Sequence, residues 1–125
     1  MKSDNNTTMS NRDRFFERIK PLFESSRYEV CKATEGKYKD KIIQVINKGS
    51  GTHDFHIWCH TRNDRLDLVI PNFRINQIPD SIGLKEKNRN IKTGDRLDGQ
   101  DATSFQEVDE DVLIEVVKYI TTHVI

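Results

Sequence analysis

The chain is poor in the residues that cross-link, bend or anchor a fold. Its 125 residues include two cysteines, three prolines, six glycines and one tryptophan. Cys31 and Cys59 form no C-x-x-C pair, and no secretory apolar core precedes them. That usage predicts reduced thiols and a cytoplasmic protein. No apolar run exceeds three residues, against the ~20 that a membrane-spanning helix needs, so no membrane association is expected.

Charge of a single sign is lacking as well. Twenty Lys/Arg cancel twenty Asp/Glu, so no global field draws the protein to nucleic acid or to an acidic membrane. Residues 1–62 carry twelve basic and eight acidic side chains, and residues 63–125 the reverse, a +4/−4 offset of a size common on solvated surfaces. Nucleotide-binding glycine patterns, a phosphate loop, a serine elbow and H-E-x-x-H are all missing. No cofactor is expected.

What is present is periodic. Apolar residues make up 34% and charged residues 32%, with mean hydropathy −0.73, yet the apolar ones cluster enough to build one core. Residues 1–10 are polar and read as a disordered tail before a single domain over 11–125. Ser10 and Asp13 mark a helix N-terminus. Phe15, Phe16, Ile19, Leu22 and Phe23 follow at helical spacing, so the pattern predicts a helix over 11–24 that kinks, or stops and restarts, at Pro21.

From Arg27 to Asn72 the β-branched and aromatic residues lie between turn-formers and read as strands. Phe55, Ile57 and Cys59 alternate with His56, Trp58 and His60; Leu66, Leu68 and Ile70 alternate with Arg65, Asp67 and Val69. A hairpin burying both apolar sets, turning at Asn63-Asp64, pairs Cys59 with Leu68 and sets His60 opposite Asp67. Residues 85–101 are a polar run holding Gly94 and Gly99, which suggests a lid, a binding loop or a mobile segment. A short strand around 102–107 follows. Asp109 caps a last helix with an acidic first turn and a stripe of Val112, Leu113, Val116, Val117, Ile120 and Val124.

The order is helix, four or five mainly antiparallel strands, helix: an α+β domain with both helices on one sheet face. In its order of elements the chain resembles small frataxin-like and YjbR-like domains, which implies a fold and no function.

His53, His56, Cys59 and His60 invite a metal reading, but on a regular strand His56 and His60 stand about 13 Å apart and Cys59 points the other way. No metal site is expected. Asp95, Asp98 and Asp101 lack the alternate-position oxygen ligands of a calcium loop. The expected binding face is therefore the open one: His56, Trp58, His60, Arg65 and Asp67, with Trp58 as a stacking platform for a planar group. The first expectation is a non-catalytic module. Its partner is a protein, as neutral net charge favours, or else a nucleotide or nucleic-acid strand. The alternatives are a small hydrolase or nuclease-like enzyme using His60 and Asp67, and a homodimer that buries the open face.

Overall fold

The computed structural model describes residues 9–61, 63–88 and 90–123. The expected tail lies outside these apart from Met9 and Ser10. The Ser10 hydroxyl accepts from the Asp13 N–H at 3.1 Å and starts α1 (Asn11–Ile19). The α-helix stops just before Pro21, which cannot donate to the helical ladder, and the chain restarts as a 3-10 turn at Lys20–Phe23.

Six strands follow: β1 (Tyr28–Lys32), β2 (Ile42–Asn47), β3 (His53–Cys59), β4 (Leu66–Pro71), β5 (Asn90–Leu97) and β6 (Gln100–Gln106). A short helix α2 (Asn72–Ile75) and a 3-10 turn (Asp80–Ile82) lie between β4 and β5, and α3 (Glu110–His123) closes the chain. Asp109 caps α3, its carboxylate accepting from the Asp111 N–H at 2.9 Å. The fold is α+β, as expected, with a single antiparallel sheet ordered β1-β2-β3-β4-β6-β5. Among the described residues no helix is long and apolar enough to cross a membrane.

One sheet face is covered. Ile43, Val45, Phe55, Ile57, Leu68 and Ile70 are fully buried with Phe15 and Ile19 of α1 and Leu113, Val116, Val117 and Ile120 of α3. Each such side chain contributes about 1.5–3 kcal/mol relative to exposure, so this layer dominates stability. Arg14 and Arg18 both grip Glu110, the first at 2.9 Å, and lock the two helices side by side.

Three expectations need correction. The sheet has six strands, because the polar run 85–101 holds a strand of its own. Asp98 (φ +50°) and Gly99 (φ +80°) form the tight turn between Leu97 and its partner Gln100. Two successive positive φ values suit the primed hairpin turn that an Asp-Gly pair favours. The last strand accordingly starts at Gln100. The β3–β4 register also differs by two residues: Cys59 pairs with Leu66 and Ile57 with Leu68, and the turn falls between His60 and Arg65. A two-residue slip preserves the faces, so the apolar sets are still buried together. Asp67 now lies opposite Trp58, and His60 reaches it diagonally.

Two irregularities shape the uncovered face. Between Val45 and Ile46 the β2–β3 register shifts, and Asp54 and Phe55 are both buried in succession. The β5–β6 register shifts between Lys92 and Asp95, at Gly94 (φ +87°). The sheet curls until the Asp98 carboxylate, at the β5–β6 tip, accepts from the His53 N–H of β3 at 3.0 Å. Two strands lie between these residues in the sheet order, so the uncovered face is concave.

Candidate functional site

The concave face encloses a cleft of about 360 Å³. β3 supplies His56 and Trp58, with His60 just beyond it. Arg65, Asp67 and Val69 come from the edge and body of β4, Ser104 and Gln106 from β6, and Lys92, Asp95 and Arg96 from β5. The strand alternation that buries Phe55, Ile57 and Leu68 on one side turns these residues to the other. All five sequence-predicted residues line the cleft.

Asp67 organises one end. Its carboxylate accepts from Arg65 Nε at 3.0 Å and Nη2 at 3.3 Å, from the Glu107 N–H at 3.0 Å, and meets His60 Nε2 at 2.9 Å. Glu107 adopts a left-handed φ of +56°, the bend that follows β6. Burial alone would push the Asp67 carboxyl up, but the bonds from Arg65, Glu107 and His60 together hold it below the usual carboxylate range. The ionised carboxylate requires the proton on His60 Nε2 and leaves Nδ1 as the acceptor of the neutral ring. Asp67 is nearly sealed, its side chain 9% exposed, whereas Arg65 and His60 are about one-third exposed at 30% and 28%.

His56 has a partner that a regular strand would deny it. The shift in the β2–β3 register brings His53 Nδ1 to 2.8 Å from His56 Nε2, although the residues are three apart. Burial, and then the neighbouring His53, push His56 down to about 4, against a smaller opposing pull from Asp98. It is a neutral hydrogen-bonding ring at neutral pH. Among the described residues no group of three or more His, Cys, Asp or Glu side chains is placed to hold a metal ion.

Trp58 is half-buried. Tyr38, from the β1–β2 loop, leans on it with ring centroids 5.1 Å apart and planes tilted by 48°. Lys37 and Lys41 lie over the Tyr38 ring at 5.4 and 5.8 Å, so the aromatic neighbour of Trp58 carries two cations. On the opposite wall Arg96 is held by Asp101 at 2.8 Å and by the Gly99 carbonyl at 2.7 Å, while Lys92 stands 3.8 Å from Asp95.

No protein-family model matches the chain, and neither a curated protein nor a solved structure does. The cleft itself must carry the functional reading. Sequence reasoning missed Lys92, Asp95 and Arg96 because a polar run has no apolar alternation to betray a strand; the Asp98-Gly99 pair was the available signal. It also missed His53, whose pairing depends on a register shift between distant strands.

Proposed function

We propose that the protein is a small binding module whose concave, uncovered sheet face takes a ligand of small-molecule size. The supporting observation is the curl of the sheet, which turns an ordinary solvated face into a cleft bordered by four strands. Its volume of about 360 Å³ lies at the lower end of the ~300–1,000 Å³ typical of ligand pockets. Its lining combines a half-buried aromatic ring with charged side chains paired to carboxylates. The free thiols Cys31 and Cys59 suit work in a reducing compartment such as the cytoplasm.

The test is a mixed small-molecule screen followed by amide NMR. Ligands should shift the signals of Val69, Ser104 and Gln106 together, and Trp58→Ala should abolish those shifts while the fold persists. Shifts scattered over the surface, or none, would remove the reading. Concentration-dependent melting of the parent protein would instead indicate a homodimer closing over this face.

One contact favours a second reading. His60 Nε2 bound to Asp67 at 2.9 Å is the arrangement of an oriented general base. Hydrolysis of model phosphodiesters or esters that vanishes in both His60→Ala and Asp67→Asn would support the enzyme; its absence from the parent protein would leave the binding module alone.

A further inference from the structure

The cleft joins one accessible aromatic surface to a wall that carries Lys92 and Arg96, and its size limits what spans them. Trp58 lines one side. Tyr38 already touches it, with centroids 5.1 Å apart, so no second ring fits between the two. One planar group stacks here, on the cleft side of Trp58. The floor offers the Ser104 hydroxyl and the Gln106 amide, donors and acceptors suited to a base edge.

The cations in the lining are Arg65, Lys92 and Arg96, against the carboxylates Asp67 and Asp95. Arg65 is committed to Asp67 through two bonds, and Arg96 to Asp101 and the Gly99 carbonyl. Lys92 is held least, 3.8 Å from Asp95 with its side chain 67% exposed, and is the charge free to meet an anion. With Asp101 counted, three cations meet three carboxylates, and Lys92, the least constrained of the three, is the one charge a ligand can recruit. That suits a single phosphate and not the run of phosphates of a strand, which requires a basic track.

Resting on the binding-module reading, we infer that the ligand is a free mononucleotide, its base stacked on Trp58 and its phosphate met by Lys92. Stacking of one base and a positioned ammonium on the phosphate together supply a modest affinity. Arg65 and Arg96, fixed by their own carboxylates, shape the walls without offering a free charge.

Trp58 is the sole tryptophan, so its fluorescence reports the cleft directly. The full chain is titrated with the four common nucleoside monophosphates, the matching nucleosides, inorganic phosphate and an eight-nucleotide single strand. At least one mononucleotide should quench Trp58 with Kd below about 1 mM. Its nucleoside should bind at least tenfold more weakly, and Lys92→Glu should weaken the nucleotide to the same degree with an unchanged melting temperature. Equal binding of nucleoside and nucleotide overturns the phosphate assignment. An octamer binding tenfold tighter than every mononucleotide overturns the free-nucleotide assignment in favour of a strand. If screened compounds shift the cleft amides and no nucleotide does, this inference fails and the binding module stands. If neither shifts them, both fail.

Discussion

The two faces of the sheet each carry a carboxylate gripped by arginine, and the pairs are built differently. On the covered side Asp54 meets Arg74 at 2.5 and 3.1 Å, and Arg74 also donates to the Tyr28 hydroxyl at 3.3 Å. Both charged side chains are 8% exposed. On the open side Asp67 is equally sealed, but its partners Arg65 and His60 reach solvent. The first cluster turns all its charge inward and is structural. The second holds a buried anion that fixes two partly exposed basic groups in place, the preorganisation that the proposed binding role would use.

The sharpest way to break this comparison is to remove each arginine. Arg74→Met strands a buried carboxylate and should cost about 3–5 kcal/mol in urea unfolding. Arg65→Met leaves Asp67 with the Glu107 N–H and His60, and should cost under about 2 kcal/mol. Equal losses would make the open cluster structural too.

Acid should expose a difference next. The folded-state value of His56 is depressed from 6.5 to about 4, so the unfolded chain binds the proton first. Its contribution is full above pH 6.5, shrinks as pH falls from 6.5 to 4, and levels off below that. The loss is at most about 3.5 kcal/mol, at ~1.4 kcal/mol per pH unit. Asp67, held below the usual carboxylate range, gives way only at lower pH still. Urea melts at pH 7 and pH 4.5 should show the drop, and His56→Gln should flatten it. An unchanged slope in that variant would mean that a group other than His56 carries the drop.

A smaller effect tests the curl. A Cβ at Gly99 meets nothing within 4 Å, but φ is +80°, so Gly99→Ala should cost about 1–2 kcal/mol through the backbone alone. Nucleotide binding should weaken with it if the β5–β6 tip sets the cleft wall.

The cysteines compare the faces with little perturbation of stability. Cys59 is fully buried on the covered side and burial pushes its thiol up to about 12. Cys31 lies opposite Gln44, which in turn pairs with His56, and so belongs to the open face. It is only partly buried. A thiol reagent should label Cys31 in the native protein, more slowly than a free thiol because burial, and then Glu29, raise it. Cys59 should react only on unfolding, and fast native labelling of it would contradict the face assignment.

Much of this was legible in local pattern. Period-two alternation around Phe55–Cys59 and Leu66–Ile70 told which residues share a face, because a strand has no other way to bury every apolar side chain. Helical spacing after Ser10 and Asp109 placed α1 and α3, and Pro21 marked where α1 stops. By itself, then, the sequence determined the fold class, the covered face and the five residues first assigned to the cleft. Tertiary structure alone decided their partners. The β3–β4 register stayed ambiguous by two residues, since such slips keep each side chain on its face. The His53–His56 contact and the β5 wall with Lys92 depend on register shifts, and on a hydrogen bond from His53 to Asp98 across 45 residues. Contacts of that range follow from the summed packing of the whole sheet, and no window of sequence holds them.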